Sequence, residues 1–253
     1  MNFFYGINNN LFKSEIQIPL FQNRNFKKSN LKLFKSYPKN NKWILQEISS
    51  NKINDYFYIL KNEDILSNEI FFLADETILN EFDDKKLKNF NNFTDTSPAF
   101  RANFKIYLNQ GGFSSYQSEY PYSMITKKGT ILSSISSIAN LDADKNYVLI
   151  KNIFEEPIEE NFKAYLVNYK TKSIEEQFEI KTNYTNCIEI SNKLIKPEIF
   201  LVTDRYLGVP MYVSVKNSFL SFEHTHPPHE YILSENKFIK VTNLKKEINE
   251  IIS

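Results

Sequence analysis

At 253 residues the chain is long enough for one large all-β unit or two smaller domains, and for a substantial core. Its 42% hydrophobic and 24% charged residues are globular values, and five glycines and nine prolines exclude collagen-like and Gly/Ser-linker chains. A formal charge of +1 gives no whole-molecule attraction to nucleic acid or an anionic membrane, so neither is expected as a partner.

The charge is nonetheless uneven. Residues 13–42 carry eight Lys/Arg and one acid, Glu15, while residues 63–84 carry eight Asp/Glu and no base. The expectation is a basic and an acidic face that approach each other in the fold, rather than a nucleic-acid or phospholipid contact. Cys187 is the single cysteine, which excludes an internal disulfide and thiolate-rich zinc sites. No apolar run reaches ~18 residues, the length a membrane helix needs. The N-terminus lacks the basic-then-apolar pattern of a signal peptide. A cytoplasmic, reducing location is the default expectation. The sequons Asn92-Phe93-Thr94 and Asn183-Tyr184-Thr185 read as chance in so Asn-rich a chain.

Residues 1–12 read as irregular and polar. Short apolar runs at 15–20, 31–36, 43–48, 55–60 and 69–74 are punctuated by Asn, Lys, Ser and Pro, the pattern of strands. Residues 76–90 (ETILNEFDDKKLKNF) predict one helix, through Ile78, Leu79, Phe82 and Leu87. The polar stretch 91–98 (NNFTDTSP) divides the chain into a β-rich part, 1–97, and a second part, 98–253. In 103–108, Phe104, Ile106 and Leu108 alternate with Asn103, Lys105 and Tyr107, so one face meets a core and the other water. A turn follows at 109–112, then an aromatic, polar segment, 113–124, that reads as a bulged strand or a loop.

Strands are predicted at 131–138 and 146–154. The clearest hairpin joins 161–169 to 173–181, with Ile174, Phe178 and Ile180 on one side and Glu175, Gln177 and Glu179 on the other. Residues 198–204 and 209–216 read as inner strands, followed by strands at 218–226, 230–234 and 237–241. A C-terminal helix carries Leu244, Ile248, Ile251 and Ile252 as one stripe, with Asn243 as its N-cap, and packs that stripe on a sheet edge or face. About ten strands without strand–helix alternation predict an all-β, mainly antiparallel sandwich or barrel with a short C-terminal helix.

All three histidines fall in Phe222-Glu223-His224-Thr225-His226-Pro227-Pro228-His229-Glu230. If 219–226 is extended, Leu220, Phe222, His224 and His226 share the core-facing side. Desolvation and a like neighbour both disfavour the charged imidazole, and the neutral ring is the one that ligates a metal. Pro227 and Pro228 end the strand pairing and stiffen the turn, after which His229 and Glu230 can fold back. The predicted metal ligands are His224, His226 and Glu230, with His229 or Glu119 as a further ligand or catalytic base. Imidazole and carboxylate ligands suit Zn, Fe, Mn or Ni; no other cofactor is expected. Uncoordinated imidazoles acting in acid–base chemistry or anion recognition are the other use of the cluster.

His224-x-His226-x-x-x-Glu230 resembles the first metal motif of cupins, a β-barrel family. The resemblance covers about seven residues; Ser218 and Lys237 stand where that family has glycines, and no histidine follows His229. It implies only that such a pair can hold a metal on a β scaffold.

A second candidate surface is Tyr116, Gln117, Glu119, Tyr120 and Tyr122, whose rings either line a sheet rim or stack on a sugar or base. Arg205 would clamp an anion or pair with Asp204. Ser114 and Ser115 lack the glycine that a nucleophile elbow needs, and the chain has neither a Walker loop nor a dinucleotide fingerprint. The sequence leaves open whether the protein is an enzyme on a small polar substrate, a glycan- or partner-binding module, or a subunit of a homo-oligomer or larger assembly.

Overall fold

The computed structural model describes residues 2–20, 31–48, 52–54, 57–90, 102–109, 111–125, 134–137, 139–203, 205, 208–224 and 234–253. It is an all-β, mostly antiparallel protein with a C-terminal helix, and no described sheet closes into a barrel, which removes the barrel alternative. The chain divides into two units. Unit 1 comprises Met1–Thr126, Ile153–Glu159 and Asn183–Thr185; unit 2 comprises Lys127–Asn152, Glu160–Thr182 and Asn186–Ser253. The polar stretch at 91–98 lies outside the described residues.

Unit 1 contains β1 (Asn2–Phe3), β2 (Phe12–Pro19), β3 (Lys32–Lys39), β4 (Lys42–Ile48), β5 (Lys52–Asn54), β6 (Phe57–Leu60), β7 (Ile70–Ala74), helix α1 (Ile78–Glu81), β8 (Ala102–Leu108), β9 (Phe113–Ser118) and β10 (Tyr120–Pro121). They form a five-stranded sheet, β5-β6-β2-β8-β9, a three-stranded sheet, β4-β3-β7, and the pair β1-β10. The alternation read in 103–108 is present: Ala102, Phe104 and Ile106 are buried, while Asn103, Lys105 and Tyr107 are partly exposed. The N-terminal segment is irregular over 5–11, as read, but much of it is core rather than polar surface. Phe3, Phe4, Tyr5 and Ile7 are buried, and Phe3 meets Phe72 edge-on at 5.8 Å.

β3 and β4 join through Asn40 and Asn41, both left-handed (φ 53° and 58°), the two-residue turn that matches strand twist. The basic and acidic segments do meet. Lys35 pairs with Glu69 at 2.6 Å, Lys42 with Asp84 at 2.7 Å, and Lys32 with Glu76.

The helix predicted over 76–90 shrinks to the single turn α1. Phe82 turns to extended backbone (φ −66°, ψ 129°). Asp83 Oδ1 then accepts the Lys85 N–H at 2.9 Å, a local bond that competes with helix. Beyond it, the Asp84 carbonyl accepts the Trp43 N–H at 2.7 Å and the Leu87 N–H donates to the Glu155 carbonyl at 2.9 Å. Partners distant in sequence therefore take the backbone groups that a helix would have used.

Unit 2 contains β11 (Lys145–Lys151), β12 (Asn161–Asn168), β13 (Ser173–Lys181), β14 (Thr185–Ile190, whose first residue belongs to unit 1), β15 (Ile199–Val202), β16 (Val209–Lys216), β17 (Phe219–His224) and helix α2 (Lys237–Asn249). The sheets are β14-β11-β16-β17 and β13-β12-β15. The predicted hairpin is β12–β13. A bulge at Leu166/Val167 pairs Val167 with Ile174 and takes Ile174 out of the apolar row, so it is 46% exposed. β16 is an inner strand as read, whereas β15 is an edge in pairing yet buried. Helix α2 explains part of that burial: Leu244, Ile248, Ile251 and Ile252 pack with Val167, Val202 and Phe200. The stripe is the one the sequence predicts.

Two strand expectations fail here. Residues 135–137 form a 3-10 turn rather than part of a strand. Residues 237–241 belong to α2, whose N-cap is Asn236 and not Asn243. A short apolar run such as FIKV does not distinguish strand from helix by itself; the neighbouring stripe decides it through tertiary packing.

Candidate functional site

The strand that carries the histidine cluster is placed by its turn. Asn217 and Ser218 both adopt left-handed φ (48° and 68°), closing a two-residue hairpin between β16 and β17 with Lys216 opposite Phe219. That turn fixes the register, so Leu220 faces Val215, Phe222 faces Val213 and His224 faces Met211. A slip of one residue would exchange the two faces. Burial follows the predicted alternation: Phe222 is buried, Leu220 and His224 are half-buried, and Phe219, Ser221 and Glu223 are exposed.

Met211 in turn faces Leu149 of β11. Leu149, Met211 and His224 thus form one cross-strand row, the first two buried, with the imidazole as its outer member on the edge strand. The His224 side chain is 18% exposed, and its Nδ1 lies 3.4 Å from Glu223 Oε1, which also accepts the His224 N–H at 3.0 Å. A carboxylate beside an imidazole nitrogen can fix the ring's tautomer and orientation. His226, His229 and Glu230 lie outside the described residues. Among the described residues, no three His, Cys, Asp or Glu side chains gather as a metal-binding group.

Glu119 belongs to unit 1, between β9 and β10, and accepts a hydrogen bond from Asn2 Nδ2 at 2.8 Å. Tyr120 is fully buried; its hydroxyl accepts the Ile153 N–H at 3.3 Å and its ring meets Tyr5 edge-on. Tyr122 donates its hydroxyl to the Leu87 carbonyl at 3.0 Å, and burial, then the Glu155 charge, push its pKa up. Tyr116 is half-buried on β9, opposite Phe104. The described bonds of Tyr120 and Tyr122 are to their own unit. Arg205 extends to Glu160 at 2.8 Å, and its guanidinium carbon lies 5.8 Å from the Phe162 ring centroid; Asp204, the partner considered from sequence, lies outside the described residues.

Sequence reasoning passed over two features. Tyr107 and Phe113 pair across β8 and β9 on the outward sheet face, ring centroids 5.6 Å apart, with Phe113 62% exposed. Strand alternation places both outward, so the pair was readable. Tyr212 is buried on β16 with a hydroxyl that has no hydrogen-bond partner among the described residues, and nothing in a run of apolar residues signals that. Comparison with protein-family models, curated proteins and solved structures found no match.

Proposed function

We propose that this protein binds a divalent metal ion at the end of β17 through His224, His226 and Glu230, and acts there on a small polar substrate. The supporting observation is the Leu149–Met211–His224 row, which carries a half-buried imidazole on a regular strand next to a carboxylate. A ligand held by a strand is positioned more tightly than one on a loop. The sequence adds two more histidines and a glutamate within the next six positions. Zn, Fe, Mn or Ni suits such donors, and a bound ion would polarise a substrate oxygen or activate water. His229 is the further ligand or base. A reducing, cytoplasmic setting fits a chain with one cysteine. The test is elemental analysis of purified protein. Stoichiometric metal is expected in the parent, with loss in H224A/H226A at unchanged circular dichroism. A parent that stays metal-free after incubation with each ion contradicts the proposal.

A second reading rests on the outward face of the five-stranded sheet. There Tyr107 and Phe113 lie beside Lys105 and Glu15, themselves paired at 3.0 Å. Two adjacent aromatic rings with polar neighbours suit a sugar, whose C–H face stacks while its hydroxyls hydrogen-bond. Binding on a glycan array that survives chelator and is lost in Phe113→Ala would favour this module over the metal site.

A further inference from the structure

In unit 2 a small cavity of about 10 Å³ is lined by Tyr212, Asn146 and Ser214 together with apolar residues such as Ile135, Val148 and Ile190. Tyr212 is 4% exposed, and its hydroxyl has no hydrogen-bond partner among the described residues. A buried hydroxyl without a partner is an uncommon arrangement in folded proteins. The polar wall next to it is organised. Asn146 Oδ1 accepts from Ser214 Oγ at 2.6 Å and from the Asn140 N–H at 3.0 Å; its Nδ2 donates to the Asn140 carbonyl at 2.9 Å and to Asn192 Oδ1 at 3.0 Å. The Asn146 amide is therefore fully used. Ser214 uses its O–H to donate to Asn146, and its oxygen still has lone-pair capacity to accept.

We propose that this cavity is a binding site for a single buried water molecule, which accepts a hydrogen bond from the Tyr212 hydroxyl and donates one to Ser214 Oγ. The volume is about that of one water. A donor and an acceptor on the wall give the minimum of two partners that an internal water needs. The bridge would tie the side chain of a buried tyrosine to the Asn146 network, which in turn holds the turn at Asn140.

Tyr212→Phe in the full chain tests this, because it removes the hydroxyl and leaves the ring. With the water in place, Y212F loses a hydrogen bond, and its denaturant midpoint falls below that of the parent. If the hydroxyl is buried unsolvated, removing it relieves a penalty, and the midpoint stays or rises, which overturns the proposal. A high-resolution crystal structure of the parent gives an independent readout. An ordered solvent peak within hydrogen-bond distance of Tyr212 Oη is expected; an empty position beside Oη also overturns it.

Discussion

Asn183 commits its whole carboxamide to the main chain: Oδ1 accepts the Phe154 N–H at 2.7 Å, and Nδ2 donates to the carbonyls of Glu156 and Ile158, both at 3.0 Å. Its φ of 51° is one that asparagine tolerates better than most residues. Asn183→Gly keeps that backbone freedom and loses only the bonds, so a loss of about 2 kcal/mol is expected. Asn183→Ala adds the left-handed penalty and falls about 1 kcal/mol further; urea unfolding of the two variants separates the contributions. Glu69 is a second such residue. Its side chain is 2% exposed, held by Lys35 at 2.6 Å and by the Leu66 N–H at 2.9 Å. Removing one partner of a buried pair is costly, so Lys35→Ala is expected to destabilise by about 3 kcal/mol, read by the same unfolding curves. The meeting of basic and acidic segments was legible in the sequence. Which pair would be buried was not, because that depends on β3 lying beside β7. The Asn183 sequon shows the converse limit: one residue's chemistry read alone says nothing about three carbonyl and amide partners nearly thirty positions away.

Buried tyrosines, Tyr122 and Tyr212 among them, give the protein an alkaline limit. Burial raises the pKa of both Tyr122 and Tyr212 above the ordinary 10.0. The unfolded chain then releases these protons first, so the native state holds more protons above pH 10. The stability they contribute is complete below that pH and is lost as pH rises from it. Thermal melting temperature is expected to fall above pH 10 in the parent and to fall less steeply in Tyr122→Phe, even though that variant starts lower for want of its bond to Leu87.

At the scale of elements, turns decide where the side chains point. Ser218 occupies a left-handed position (φ 68°) that a glycine would take without strain. Ser218→Gly is expected to stabilise the β16–β17 hairpin by about 1 kcal/mol without altering register, measured by thermal unfolding. Register was legible here because Leu220, Phe222 and His224 alternate with polar residues, and a half-buried strand leaves little freedom to slip. Helix α2 was legible by its stripe and not by its start. Ile248, wholly buried against Val167 and Val202, anchors it, and Ile248→Ala is expected to cost about 3 kcal/mol. The 76–90 segment shows why apolar spacing alone misleads: its backbone partners, Trp43 and Glu155, lie far off in the sequence and were invisible to a local pattern.

At the scale of the molecule, the two units are not two consecutive pieces of chain. Unit 1 is completed by 153–159 and 183–185. Within it the Trp43 Nε1–H donates to the Glu155 carbonyl at 2.8 Å, and the Thr185 N–H donates to the Ser67 carbonyl at 2.8 Å. A fragment ending at Thr126 therefore lacks parts of its own core lining and is expected to give poorly dispersed amide resonances where the full chain gives dispersed ones. No linker composition announces this return of the chain, which is why the sequence yields a β class and a strand list but not the way the units are assembled. The metal proposal rests on one row of side chains in unit 2, and imidazole NMR addresses it directly. With zinc titrated into the parent, the His224 ring resonances, identified by their loss in H224A, are expected to shift and saturate at one equivalent. Ring resonances of His224 that stay in place through excess zinc would contradict the account.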